Sequence, residues 1–129
     1  MQLKFASVMV RNQDEALRFY SERLGFTIKD DLKMGPFRWL TVASPQGLAG
    51  VELILEATDF PPSADYQKAR YEAGIPAIAI VTDDIRAEYQ RLLQKGVKFR
   101  GEPADMGFIT AVSFEDGCGN LINLVQPAS

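Results

Sequence analysis

The sequence contains no histidine, and that absence removes more chemistry than any other feature of the chain. Histidine is the commonest ligand of catalytic transition metals and the usual general base near neutral pH. Serine–histidine–aspartate and cysteine–histidine catalysis are therefore excluded, as are histidine-ligated zinc, iron or nickel centres. Cysteine is nearly as scarce. The single residue, Cys118, cannot form an internal disulfide, and it stands between two glycines in a stretch of sequence without Lys or Arg to activate its thiol. No apolar run approaches the roughly 20 residues that span a bilayer, and no basic-then-apolar leader opens the chain, so a cytoplasmic, non-membrane protein is expected. Positive charge is also in short supply. Fourteen Lys and Arg against 17 Asp and Glu give a net charge of −3, without the clustered cations that bind phosphate backbones. Nucleic acid is not an expected partner; a cationic or neutral small molecule fits better.

What is present is a repeat. Val10-Arg11-Asn12-Gln13-Asp14-Glu15-Ala16-Leu17-Arg18-Phe19-Tyr20-Ser21-Glu22-Arg23-Leu24-Gly25-Phe26 is echoed by Val81 to Val97 at an offset of 71 positions, Asn12 matching Asp83 and Gly25 matching Gly96. Each unit runs from an alternating apolar segment through a capping residue into an amphipathic stretch that stops at glycine. In the first, Asn12 and Glu15 form a capping-box pattern, and Ala16, Leu17, Tyr20 and Leu24 recur at helical spacing. In the second, Asp83 is the expected cap, with Ile85, Tyr89, Leu92 and Leu93 on the inner face.

Strands are predicted over Lys4–Val10, Phe26–Leu32, Phe37–Ala43 and Gly50–Glu56 in the first half. The second half repeats the order, with strands over Pro76–Val81, Val97–Gly101, Gly107–Glu115 and Leu121–Gln126. Between them, Asp59-Phe60-Pro61-Pro62-Ser63 is unsuited to a helix interior, and a short helix over Ala64–Ala73 is expected after Ser63. The organisation is thus a βαβββ module over residues 1–56, a connector over 57–75 and a second βαβββ module over 76–129, with a cleft expected between the modules.

That order, carried by Val10 to Tyr20, Leu24-Gly25-Phe26, Arg38-Trp39-Leu40-Thr41-Val42, Val51-Glu52-Leu53 and Phe114 to Val125, resembles the vicinal oxygen chelate superfamily. This is the group that includes glyoxalase I, extradiol dioxygenases and bleomycin-resistance proteins. The resemblance spans nearly the whole chain and implies an α+β fold of two βαβββ modules forming a curved eight-stranded cleft. The family commonly writes the last turn Asp-Pro-Asp-Gly-Asn; here Gly117 and Cys118 depart from it while Gly119 and Asn120 keep its closing pair.

Metalloenzymes of the family place four ligands, typically His or Gln, Glu, His and Glu, on the cleft strands. The resemblance carries these onto Phe5, Glu52, Ala77 and Asn123. Phenylalanine and alanine have no donor, a neutral amide is a feeble one, and a single carboxylate cannot hold a catalytic divalent ion against water. Metal-dependent catalysis is accordingly disfavoured and no cofactor is expected.

The residues expected to line a ligand cleft are Phe5, Met9, Trp39, Glu52, Ala77, Phe108 and Asn123. The aromatic and thioether groups would supply apolar surface, Glu52 a carboxylate and Asn123 an amide. The leading expectation is metal-independent binding of a cationic or aromatic small molecule, as in bleomycin-resistance proteins, by a homodimer. Two alternatives stand beside it: a lyase, isomerase or dioxygenase relative with an atypical site, with Glu52 as a metal-free base, and an interaction module without a ligand.

Overall fold

The structure, a computed structural model, describes residues 1–128. The chain forms two compact units, Met1–Asp65 and a second beginning at Tyr66. The first contains β1 (Phe5–Val10), α1 (Gln13–Arg18), β2 (Thr27–Met34), β3 (Phe37–Ala43) and β4 (Glu52–Ala57). A helix α2 (Pro61–Glu72) leads into the second, which holds β5 (Ile78–Val81), α3 (Ile85–Gln94), β6 (Ala104–Asp105), β7 (Ile109–Glu115) and β8 (Leu121–Pro127).

The two sheets have the same internal topology. Strand order is β1-β4-β3-β2 in one and β5-β8-β7-β6 in the other. In each, the first and last strands of the unit pair in parallel and the others pair antiparallel. Shared topology of this kind is what duplication of one βαβββ unit produces.

Alternation sorts each strand into a covered and an uncovered face. In the first unit Val8, Val10, Leu40, Val42 and Leu55 are buried together with Ala16 and Tyr20 of the helical segment. Gln13 fastens the start of α1 to this sheet, donating Nε2 to the carbonyls of Leu55 (2.9 Å) and Arg38 (3.2 Å). In the second unit Val112, Phe114, Ile122 and Leu124 are buried with Ile85 and Leu92 of α3. Tyr89, Phe99 and Phe114 extend that core as an aromatic chain, with ring centroids 4.6 and 5.6 Å apart.

Four expectations need correction. The cap of α3 is Asp84, whose Oδ1 accepts from the Ala87 N–H at 3.1 Å, and Asp83 lies outside the helix. The reason is in the first unit, where α1 gives way to a π-helical turn over Phe19–Arg23, with the Leu24 N–H reaching back five residues to the Phe19 carbonyl. A π turn takes up an extra residue, so the caps Asn12 and Asp84 are one position further apart than the stops Gly25 and Gly96. Second, α2 begins at Pro61. Both prolines fall in the first turn, where backbone N–H groups have no intrahelical acceptor and a fixed φ is already helical.

Third, Val97–Gly101 is not a strand. Phe99 makes an isolated bridge to Phe114, and the edge of the sheet is the two-residue β6. Gly101 adopts φ +123 there, a turn conformation that ends pairing. Fourth, Leu93 is 40% exposed and does not share the buried stripe of α3. Asn12 does cap α1, accepting from the Glu15 N–H at 2.9 Å, and Gly25 and Gly96 both take left-handed φ values, 80 and 82, at the helix ends.

Candidate functional site

The uncovered face of the first sheet gathers four of the expected residues. Phe5 and Glu52 are directly paired across β1 and β4, and Met9 pairs with Glu56 on the same face two pleats along. On β3, Trp39 and Thr41 alternate onto this face, opposite Leu32 and Asp30 of β2. The Phe5 and Trp39 rings meet edge to face at 5.4 Å, a favourable quadrupole geometry. The Trp39 indole N–H donates to Asp30 Oδ2 at 3.3 Å, which fixes the ring plane. Leu32, Met34 and Phe37 continue the apolar surface and are 54%, 56% and 68% exposed. A sheet face usually hides such side chains; this one presents them.

Glu52 is the polar centre of that surface and is only 9% exposed. Its Oε1 accepts from the Thr41 hydroxyl at 2.7 Å, and its Oε2 lies 3.7 Å from Lys4 Nζ. The Thr41 oxygen in turn accepts from the Asp30 N–H at 3.2 Å. Burying a carboxylate is costly unless hydrogen bonds and counter-charge accompany it, and Thr41 and Lys4 supply them. Neither residue stands out in the sequence. Thr41 could have been found by stepping two residues along the strand from Trp39; Lys4 carries no local signal, because its role comes from the approach of β4.

The remaining expected residues lie in the second unit. Ala77 precedes β5 and donates its N–H to the Leu121 carbonyl at 2.8 Å. Asn123 is half-buried on the uncovered face of that sheet, between Ala79 and Ser113. Phe108 stands in the turn before β7 and is 74% exposed. Asn123 is flanked on its sheet face by small side chains, Ala79 and Ser113, and Val81 on the same face of β5 is 64% exposed.

The strand registers also bear on the ligand positions that the family resemblance implies. Glu52 pairs with Phe5, whereas Asn123 pairs with Ala79, one pleat beyond Ala77. The residue of the first unit that matches Asn123 is therefore Ile54, opposite Ser7, and the carboxylate of Glu52 is one pleat out of register with it. With Phe5 and Ala77 lacking donors altogether, this residue set does not fit a divalent metal. Among the described residues no group of three or more His, Cys, Asp or Glu comes together in metal-binding geometry.

Arg38 lies on the covered face of the same sheet. It donates to Asp31 through Nε (2.8 Å) and Nη2 (2.9 Å) and joins Asp14 of α1 through Nη1 at 2.6 Å. These hydrogen bonds, aided by the guanidinium charge, hold both carboxyls below the ordinary aspartate range, and they raise the arginine. The group is a structural staple between helix and sheet.

A family model described as the Glyoxalase/Bleomycin resistance protein/Dioxygenase superfamily matches residues 2–124. The chain belongs to this superfamily. The uncharacterized protein YurT of Bacillus subtilis (strain 168) is 47% identical over 126 residues, covering 98% of this chain and 99% of YurT. Among solved structures, UcmS2 superimposes with a TM-score of 0.83 at 33% identity, over 97% of each chain. TnmS3, an antibiotic binding protein from Streptomyces sp. CB03234, superimposes with a TM-score of 0.78 at 30% identity, over 99% of this chain and 97% of TnmS3. The superfamily's α+β fold of two four-stranded sheets with helices is thus the fold of this chain. Among the described residues no helix is long and apolar enough to cross a membrane.

Proposed function

We propose that this superfamily member binds a small, largely apolar aromatic molecule without a metal, on the uncovered face of its first sheet. One observation carries the reading. The Phe5–Trp39 pair and a buried, hydrogen-bonded Glu52 share a face on which Leu32, Met34 and Phe37 are exposed. Apolar surface with a few placed polar groups is the composition of small-molecule sites. The likeness to TnmS3, which binds an antibiotic, supports the same class of role. Within the second unit, Asn123, through its amide, and Phe108, through its ring, are read as ligand-contacting residues of that unit's own surface. The working form is read as a homodimer, supported by the free edges of β2 and β1 and by exposed Ile28 (46%) on the β2 edge.

The test is a thermal-shift screen of aromatic small molecules, followed by elemental analysis of the purified protein. A stabilising compound whose effect disappears in Trp39→Ala supports the reading. A stoichiometric transition metal in the purified protein, lost in Glu52→Gln, overturns it in favour of metal-dependent catalysis. Light scattering at micromolar protein concentration reads the dimer.

A further inference from the structure

The chemistry of the molecule can be taken further, resting on the reading that the open face of the first sheet is the binding surface. The two oxygens of Glu52 have different surroundings. Oε1 takes the Thr41 hydroxyl proton at 2.7 Å, and the same hydroxyl oxygen accepts the Asp30 N–H at 3.2 Å. The fold therefore occupies Oε1 as an acceptor and leaves Oε2 turned away from the Thr41 hydroxyl. That oxygen faces an ammonium. Lys4 Nζ lies 3.7 Å away and, at the same time, 5.2 Å from the centroid of the Phe5 ring.

A positive nitrogen held between a carboxylate and an aromatic face is how proteins grip organic ammonium groups. Here the chain's own lysine occupies the position, and it holds it loosely. The lysine side chain is 52% exposed, and 3.7 Å is too long for a good hydrogen bond. Charge on the face has the same sense, since Asp30 and Glu56 accompany Glu52 there.

We propose that Lys4 marks an ammonium subsite. The ligand is an aromatic amine in its cationic form, whose ring lies on Phe5 and Trp39 and whose ammonium displaces Lys4 from Glu52. An aromatic carboxylate is rejected by Glu52, and a neutral alcohol gains the hydrogen bond without the charge.

The chain has one tryptophan, so the indole N–H resonance in an NMR spectrum reports the Trp39 surface alone. The probes are naphthylethylammonium, naphthaleneethanol and naphthylacetate, titrated into the full chain and into Lys4→Met and Glu52→Gln. The expected order of affinity is ammonium, then alcohol, then carboxylate. Glu52→Gln keeps an acceptor for Thr41 and should weaken the ammonium about tenfold while leaving the alcohol nearly unchanged. Lys4→Met removes the competitor and should tighten the ammonium about two- to fivefold, the scale of a partly exposed ion pair. Because the two variants move affinity in opposite directions, general destabilisation cannot produce the result. Equal affinities for all three probes, unmoved by either variant, overturn the ammonium subsite and leave the aromatic surface standing. No movement of the Trp39 resonance with any probe overturns both.

Discussion

Replacing Asp116 with alanine should be among the most damaging single changes to this protein. Asp116 directly follows β7, is 1% exposed, and organises the glycine-rich turn that it opens. Its Oδ1 accepts from the N–H groups of Cys118 (2.7 Å) and Asn120 (3.1 Å), and its Oδ2 accepts from Asn120 Nδ2 (2.8 Å). Gln67 of α2 closes the cluster, donating Nε2 to the Cys118 carbonyl at 3.1 Å and to Asn120 Oδ1 at 3.2 Å. Cys118 and Asn120 are 2% and 5% exposed, so the donors released by the substitution do not reach bulk water. Each stranded donor costs about 1–3 kcal/mol if left dry, and water entering the vacated space offsets part of that. A net loss of about 3 kcal/mol is expected, or a fall in Tm of about 10 °C for a chain of this size. Asp116→Asn keeps the volume and one acceptor oxygen and should lose roughly half as much. The assay is urea denaturation with the midpoint read at unchanged slope. A loss under about 1 kcal/mol for Asp116→Ala would refute the view that this carboxylate holds the turn together.

Gly117 and Gly119 both have positive φ (72 and 98), but an added Cβ meets nothing at Gly117 and lies 2.8 Å from the Gln67 side chain at Gly119. Gly119→Ala should therefore be the more destabilising by about 1 kcal/mol or more, and Gln67→Ala should recover part of the difference in a double-mutant cycle. Arg38 holds Asp14 and Asp31 below the ordinary carboxylate range. Their stabilisation is fully present above about pH 4 and is lost as pH falls through the depressed folded values. Arg38→Met should thus flatten the acid limb of stability; melting curves of both proteins falling in parallel below about pH 4 would count against it. At Gly25 the φ of 80 leaves open space for a side chain. Gly25→Val should cost about 1–2 kcal/mol through backbone strain alone and Gly25→Asn less, as read by thermal melts.

Local patterns were readable wherever the cause of a structure lies within a few residues. The Asn12 cap, the glycine stops and β3 all follow from short-range spacing. Expectation failed where an element answers to something distant. The π turn that separates the two helix caps cannot be seen in apolar periodicity, because one added residue shifts the pattern no more than ordinary scatter. Val97 to Gly101 has strand-like composition, but its neighbour in the sheet is reached only at Phe99. The prolines at 61 and 62 looked like a barrier to helix and serve as its first turn. In the candidate site, Phe5, Trp39 and Glu52 were legible by alternation and family likeness, while Lys4 and Thr41 were not. Pairing of β1 with β4 brings Lys4 to Glu52, and pairing of β3 with β2 turns Thr41 toward the same carboxylate.

The duplicated βαβββ order, the superfamily and the residue types at the family's ligand positions are legible in the chain, because each depends on residue identity and local spacing. Folding alone sets the registers that place Glu52 opposite Phe5 and Asn123 opposite Ala79, and so selects which polar atoms share a face. The physical reason is that a β-sheet brings together residues that lie 11 to 47 positions apart, and a slip of one residue in that pairing would turn every side chain to the other face.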